Sequence, residues 1–288
     1  MTATPPIAAW PGLLGVQQGE VLMVVADLTR LSWALRRAGS TEGAKALLDA
    51  FVSAVGPSGT VLVPTFNHDL LPGESYDSRS TPTITGALGE AARAHPAFQR
   101  TPHPFHSCAV AGAGTEELVG SKEISSFGPG SPFAFMRRHA ARILALDIDV
   151  TYALTYIHHV EEVEQVPYRR WRDVALHYTD GSGRSAWCTY RLYAKRAGHM
   201  NSTRRLEQVL SRKGAMTTSM LGSVRATVVD VPALHKLLEK DIRSTGGVLI
   251  HDFTWERWLR DQARKLMRRE GPSRSHRALQ EHASRPSR

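Results

Sequence analysis

Short apolar, β-branched runs alternate along this chain with stretches of helical periodicity. Glu20-Val-Leu-Met-Val-Val-Ala26 has the length and composition of a buried strand. Ala44, Leu47, Leu48, Phe51, Val52 and Val55 then recur at helical spacing, with Ser40 and Thr41 as N-cap residues and Glu42 suited to a first turn. Gly56-Pro-Ser-Gly59 stops that helix, and Thr60-Val-Leu-Val-Pro64 reads as a second strand. Strand, helix and strand at this length form a βαβ unit, so the sheet is at least partly parallel.

Residues 67–84 are polar and turn-rich, with Pro72, Gly73 and Pro82; a connection this long is uncommon unless functional or mobile, which makes it a candidate substrate loop. Beyond it the pattern predicts helices over 85–95 and 132–139 and strands over 107–111 and 142–148. A further helix opens at Thr151 or Thr155 and runs through Glu164. After Pro167 the periodicity changes, and segments 173–178 and 185–193 flank Asp180-Gly-Ser-Gly183 as a β-hairpin. Helices follow over 202–212, 231–243 and 254–269, and the end beyond Gly271 is expected to be disordered. The expected fold class is α/β, with a mixed, partly parallel central sheet flanked by helices.

Composition narrows the picture. The chain has 288 residues, 42% hydrophobic and 22% charged, which is the balance of a folded globular protein. No apolar run approaches the roughly 18 residues of a membrane helix, and Pro5, Pro6 and Pro11 interrupt the place of a signal peptide. A soluble, cytoplasmic protein without a membrane partner is expected. The 2 cysteines, Cys108 and Cys188, supply no disulfide framework and are expected reduced and buried.

The net charge of +9 is concentrated at one end: residues 256–288 hold ten basic and four acidic side chains, a net of +6. A basic tail of this kind is usually a solvated face, and no zinc finger, RNA-binding signature or helix-turn-helix accompanies it, so no nucleic acid is expected. An acidic partner fits the tail better. Domain organisation follows: residues 1–255 are expected to form a single domain, with loop 67–84 and region 171–255 shaping the substrate side, and 256–288 a basic helix and tail.

Several chemistries fail against the sequence. There is no G-x-x-x-x-G-K-[ST], no G-x-G-x-x-G after a strand, no H-E-x-x-H and no C-x-x-C. Ser131 in Gly128-Pro-Gly-Ser-Pro132 resembles a nucleophile elbow superficially, but Pro132 removes the backbone N–H that an oxyanion hole would use there.

What remains is a concentration of histidines at strand ends and in loops: His68, His103, His106, His158 and His159. On a helix, Glu161 lies three and Glu162 four residues after His158, so either carboxylate can reach its ring. A carboxylate on one imidazole nitrogen fixes the tautomer and makes the other nitrogen a better base. The bland reading of the same spacing is an exposed helix with His and Glu on its wet face. In Arg100-Thr-Pro-His103-Pro104-Phe-His-Ser107, two prolines fix the backbone around His103, either to position its side chain or simply to build a rigid turn. His103, His106, His158 and Asp69 carry metal-ligating groups, yet their spacing matches no standard template, and no metal is expected.

The order of these residues resembles the aminoglycoside 3-N-acetyltransferase family. The resemblance rests on Val55-Gly-Pro-x-Gly-Thr-x-x-x-Pro-Thr-Phe66, Tyr76-Asp77, Thr85-Gly86, Arg100-x-x-His103-Pro-x-x-Ser107, Gly128-Pro-x-Ser-Pro132 and His158-x-x-Glu161. It covers roughly residues 12 to 170 in order; residues 171–255 match less distinctly and the tail does not match. The resemblance implies an acetyltransferase fold, acetyl-CoA as acyl-donor cosubstrate, and a small-molecule primary amine as acceptor: an aminoglycoside, an amino sugar or a natural-product intermediate. A homodimer is compatible with it. Residue by residue it implies a catalytic set of His158 as general base, Glu161 as its orienting carboxylate and His103. It also implies a cofactor-binding set of Asp27, Leu28, Thr65, Arg100, Ser107 and Ser131, and an acceptor-binding set of Asp69, Asp77 and Glu162. Arg100 would face a CoA phosphate, and Asp77 would attract an ammonium group.

Two positions depart from the family pattern. Val25-Ala26-Asp27 stands where members place His-Ser-Ser, putting a carboxylate where the cofactor passes, and Leu146-Asp-Ile-Asp149 stands where members place Leu-Gly-x-Gly. These departures, with the basic tail, keep two alternatives open: the same chemistry with an acidic carrier protein presenting the thioester, and a non-catalytic binding protein on the same scaffold.

Overall fold

A computed structural model describes residues 4–37, 39 and 43–270. The chain opens with a short helix α1 (Trp10–Leu13) and enters strand β1 (Val21–Ala26), followed by helices α2 (Leu28–Arg37) and α3 (Ala44–Val55). Strand β2 (Thr60–Pro64), short strand β3 (Ser75–Asp77), helix α4 (Ala87–Ala94), strands β4 (Gln99–Arg100) and β5 (Cys108–Gly112) and helices α5 (Thr115–Val119) and α6 (Pro132–Arg138) come next. Strand β6 (Arg142–Leu146) leads through α7 (Val150–Ala153) to α8 (Ile157–Val163). The long hairpin β7 (Arg169–Thr179) and β8 (Ser185–Lys195), strand β9 (His199–Asn201) and helix α9 (Arg204–Arg212) follow. Hairpin β10 (Met216–Leu221) and β11 (Val224–Asp230), helix α10 (Val231–Thr245), strand β12 (His251–Phe253) and helix α11 (Trp255–Glu270) complete the described chain.

The main sheet has seven strands in the order β10-β11-β6-β1-β2-β5-β4. Its centre is parallel, with β1 flanked by β2 and β6, and its outer pairings are antiparallel. Both faces are covered, which is why β1 reads as an unbroken apolar run. Leu22 and Val24 pack with Leu31 of α2 and with Leu47, Leu48 and Phe51 of α3, while Met23 packs on the other face with Phe133 of α6, Val160 of α8 and Leu234 of α10. A second sheet, β3-β7-β8, carries its own apolar cluster built on Tyr76, Phe105, Val174, Leu176 and Tyr190.

The mixed, partly parallel architecture agrees with the sequence-based expectation, while α2, α5 and hairpin β10–β11 were not expected and other elements differ locally. Helix α3 starts from Gly43 without a side-chain cap, and Ser40, Thr41 and Glu42 lie outside the described residues, as does the tail beyond Glu270. Loop 67–84 contains β3, which adds a parallel strand to β7. The expected single helix ending at Glu164 is segmented, with a 3₁₀ turn over Leu154–Tyr156 between α7 and α8. Cys108 is buried, but Cys188 is only partly so.

Asp147 takes a left-handed backbone conformation, φ 53°, and donates its N–H to Arg225 O at 2.7 Å. It adopts the geometry a glycine would adopt more easily, which aspartate tolerates better than most residues. Two residues on, Asp149 caps α7 by accepting from Thr151 N.

Candidate active site

The carboxyl ends of β1 and β2 open into a cavity of about 1060 Å³, the usual place for a site in a parallel sheet. The residues that follow β1, the start of α4, the α7–α8 segment and the end of β8 form its walls, and His158 lines it from the first turn of α8.

His158 Nδ1 lies 2.6 Å from Glu161 Oε2, one helical turn away. Glu161 is 1% exposed and is held from the other side by Arg169, whose Nε lies 2.7 Å from the same oxygen; this is a close ion pair, although the N–H is not aligned for a hydrogen bond. Arg169 enters on the first residue of β7 and donates from Nη1 to Tyr193 O at 2.9 Å and from Nη2 to Asn201 Oδ1 at 3.2 Å. Arg169 Nη2 is also 2.8 Å from His158 Nδ1, so two groups contend for one nitrogen. Nδ1 can donate to Glu161 or accept from Arg169, not both. The buried carboxylate and the other acceptors available to Arg169 favour the first, which leaves the lone pair on Nε2, beside Asn201 Nδ2 at 3.4 Å on the cavity wall.

Electrostatics fits a base. Burial, then the Arg169 guanidinium, holds His158 below the usual histidine value although Glu161 opposes both. The ring is therefore neutral at physiological pH. Burial alone would raise Glu161, but its partners, His158 first and then Arg169, outweigh that and keep it ionised.

Of the other residues singled out in the sequence, Asp27 and Leu28 line the cavity, and Asp27 Oδ1 accepts from Thr29 N at 2.9 Å at the start of α2. The rest lie elsewhere. His103 is buried outside the wall, with Nε2 3.3 Å from Ile124 O and its ring against Phe105 and Tyr190. Thr65 and Ser107 are fully buried behind the wall, hydroxyl to hydroxyl at 3.0 Å. Arg100 faces inward: it donates to Ser107 Oγ, Thr81 O, Thr65 O and Asn67 Oδ1 and lies over the Tyr76 ring. Ser131 caps α6 by accepting from Ala134 N.

On the expected acceptor side, Asp69 is exposed beside the cavity-lining His68, without itself lining the cavity. Asp77 is paired with Arg79 at 3.0 Å. Glu162 points away from the cavity: Ser125 Oγ lies 2.8 Å from both its oxygens, and burial pushes its carboxyl up to about 7. Helix phase thus places Glu161, not Glu162, on His158.

Sequence reasoning passed over Arg169, Lys195 and Asn201 and gave His106 no role. His106 lines the cavity, with Nδ1 2.9 Å from Ser126 Oγ and its ring between Phe66 and Phe127. The available signal was the period-two pattern of the hairpin, which puts Arg169 opposite Lys195. Among the described residues no cluster of three or more His, Cys, Asp or Glu side chains is arranged to hold a metal, and no helix is long and apolar enough to cross a membrane.

Comparison with known proteins follows the same geometry. The family profile described as aminoglycoside 3-N-acetyltransferase matches residues 23–242. Aminoglycoside N(3)-acetyltransferase III from Salmonella sp is 29% identical over 200 residues, covering 62% of this chain and 67% of that relative. Among solved structures, aminoglycoside acetyltransferase AAC(3)-IIb superposes with a TM-score of 0.70 at 18% identity, covering 84% of this chain and 96% of that one. The AAC-IIIb binary complex with CoASH gives 0.67 at 21%, covering 82% and 95%.

Proposed function

This chain belongs to the aminoglycoside 3-N-acetyltransferase family and is an acetyltransferase with acetyl-CoA as donor; we propose that it transfers the acetyl group directly to a primary amine, with His158 as general base and Glu161 as its orienting carboxylate. One observation carries this reading: a neutral imidazole in the cavity wall has its inner nitrogen tied to a buried, ionised carboxylate, leaving the outer one available.

Acetyl-CoA supplies the acetyl group as a thioester. His158 Nε2 takes a proton from the acceptor amine as the amine nitrogen bonds to the thioester carbonyl carbon. The carbon–sulfur bond then breaks, and the imidazolium returns the proton to the departing sulfur, so that an amide and free thiol result and the base is regenerated. Glu161 stabilises the imidazolium while it exists, and Arg169 prevents Glu161 from taking up the proton itself. Asp27 and Leu28 lie on the wall that would take the donor.

The acceptor is an amine of an aminoglycoside, an amino sugar or a natural-product intermediate. Residues 1–255 act as the acyltransferase domain, since region 171–255 contributes Tyr193, Lys195, Asn201 and Thr203 to the cavity. The basic segment 271–288, the ground for a carrier-protein donor, lies outside the described residues, and no observation favours that donor. Calorimetric titration with acetyl-CoA, with free CoA as comparison, tests the donor site. Saturable binding between about 1 and 100 μM is expected, and its absence would overturn the assignment.

A further inference from the structure

His106 meets the cavity from the turn between β4 and β5, and the chemistry assigned to His158 leaves it without a task. Its ring lies edge to face with Phe66, centroids 5.1 Å apart, and against Phe127 at 4.7 Å, with the exposed His68 ring nearly parallel to it at 6.4 Å. Nδ1 is turned into the protein, 2.9 Å from Ser126 Oγ. Nε2 hydrogen-bonds to none of the described residues. The unpartnered nitrogens of His159, His199 and His235 are sealed from solvent, whereas His106 is only half-buried and its Nε2 is reached from the cavity.

Ser126 decides which nitrogen carries the hydrogen. Its side chain is buried, and among the described residues His106 Nδ1 is the one hydrogen-bond partner of its Oγ. Were Nδ1 the donor, the hydroxyl hydrogen would be buried without an acceptor, which is the costlier arrangement. Ser126 therefore donates to Nδ1, and Nε2 carries the ring hydrogen. His158 has the opposite tautomer, with Nδ1–H on Glu161 and the lone pair on Nε2. Both rings pack on Phe127, His106 at 4.7 Å and His158 at 5.4 Å, so one aromatic side chain holds a hydrogen-bond donor and a hydrogen-bond acceptor on the same cavity wall.

Acyl transfer uses one group of each kind. As the amine nitrogen bonds to the thioester carbon, the second C=O electron pair moves onto the oxygen, and it returns when the carbon–sulfur bond breaks. In between the oxygen is negatively charged, and a fixed N–H aimed at it stabilises that stage most. We propose that His106 Nε2–H is this donor, holding the thioester oxygen while His158 Nε2 takes the proton of the amine. No proton leaves His106 in the step. Burial first, then the neighbouring His103 and His158, holds its protonation well below the usual histidine value, so it donates as a neutral imidazole. Ser126 acts through it, as a positioning residue that fixes the tautomer. The inference rests on the acetyltransferase reading with His158 as base and assigns the group that faces the other reacting atom.

Two measurements test this without an acceptor. In ¹⁵N-histidine-labelled wild type, long-range ¹H–¹⁵N correlation should show His106 as the Nε2–H tautomer and His158 as Nδ1–H, with His106→Gln supplying the assignment. A His106 protonated at Nδ1 overturns the inference, and this result does not depend on the folding of any leucine variant. In isotope-edited infrared spectra of bound carbonyl-¹³C acetyl-CoA, the thioester C=O stretch should lie lower in wild type and in His106→Gln, whose amide still donates, than in His106→Leu. The same frequency in wild type and His106→Leu overturns it. Thiol release with sisomicin as acceptor reads the kinetic consequence: kcat lower by about 10²–10³ in His106→Leu at a nearly unchanged KM for acetyl-CoA, and by less than about tenfold in His106→Gln. Equal kcat in wild type and His106→Leu, or equal losses in the two variants, overturns the inference, with circular dichroism as the control for folding. The underlying reading fails separately: a fully active His158→Ala removes the base and leaves the carbonyl shift in place.

Discussion

Glu161 Oε2 rests 2.6 Å from His158 Nδ1 and 2.7 Å from Arg169 Nε, so one buried oxygen joins the proposed base to a permanent cation. Removing the base should therefore cost more than removing its orienter. His158→Ala is expected to lower kcat by about 10²–10⁴ with the fold retained. Glu161→Gln keeps an acceptor for Nδ1 but leaves Arg169 unneutralised, and should lose at least about tenfold in kcat/KM. Thiol release from acetyl-CoA, with circular dichroism as the control, checks both. Equal activity in wild type and His158→Ala would remove His158 from the chemistry.

The same arrangement fixes the sign of the pH dependence. As the proposed general base His158 would act when neutral, and its folded value lies below the ordinary 6.5, so the His158-dependent part of kcat/KM should be flat above that pH and fall on acidification. Substituting Arg169→Met removes a charge that opposes protonation, and the acid limb should move to higher pH. A pH–rate profile in which the limb stays put or moves lower in Arg169→Met would contradict the assigned role.

Much of this was legible before any coordinates. The β1–α3–β2 unit shows in the sequence because a strand covered on both faces must be apolar at every position, and α3 because its apolar positions keep helical spacing. Hairpin β10–β11 is not legible in that way: β10 is an edge strand, and its Thr217, Thr218 and Ser219 are exposed and polar. The site divides similarly. A spacing of three or four residues permits two carboxylates to reach His158, and only the phase of α8 selects Glu161. Ligand contacts for Arg100 and Asp77 were implied by the family resemblance, and the sequence does not show the partners that the fold gives them. Tertiary neighbours distant in sequence, Thr65, Thr81 and Ser107 for Arg100, turn it inward.

Acid sensitivity of the fold should come partly from His103. Burial pushes its folded value down to about 4, against 6.5 in the unfolded chain, so between these pH values the unfolded state binds the extra proton. The contribution is fully present above pH 6.5 and is lost as pH falls towards 4, amounting to about 3 kcal/mol. Urea unfolding at pH 6.5 and pH 4 is the measurement: His103→Leu should show a fall in stability smaller than wild type by about this amount. An identical fall in both proteins would place the sensitivity elsewhere.

Glu162 acts in the opposite sense. Its folded carboxyl is raised to about 7 against 4.5 unfolded, so the folded state holds the extra proton, and stability is lost as pH rises through that window. Glu162→Gln mimics the protonated form and can still accept from Ser125. The variant should match wild type near pH 5 and exceed it at pH 8 by roughly 2–3 kcal/mol, as read from denaturant midpoints at the two pH values. No gain at pH 8 would mean that Ser125 holds the ionised carboxylate without penalty.

Arg100 offers the sharpest separation between a structural and a cofactor-binding role. Its guanidinium donates to Ser107 Oγ at 3.0 Å, Thr81 O at 2.6 Å, Thr65 O at 2.7 Å and Asn67 Oδ1 at 2.6 Å, joining the end of β2, loop 67–84 and the turn that precedes β5. Thr65 O keeps a second donor in Ser107 Oγ, but Thr81 O would lose this partner altogether. Arg100→Met preserves much of the contact with Tyr76 and removes all four hydrogen bonds, and should cost about 3–5 kcal/mol of stability. With no donor aimed at the cavity, the folded variant should keep its KM for acetyl-CoA within about twofold of wild type. Thermal melts read the first effect, and thiol-release kinetics below the melting range read the second. A tenfold rise in KM with an unchanged melt would put the guanidinium on a CoA phosphate instead.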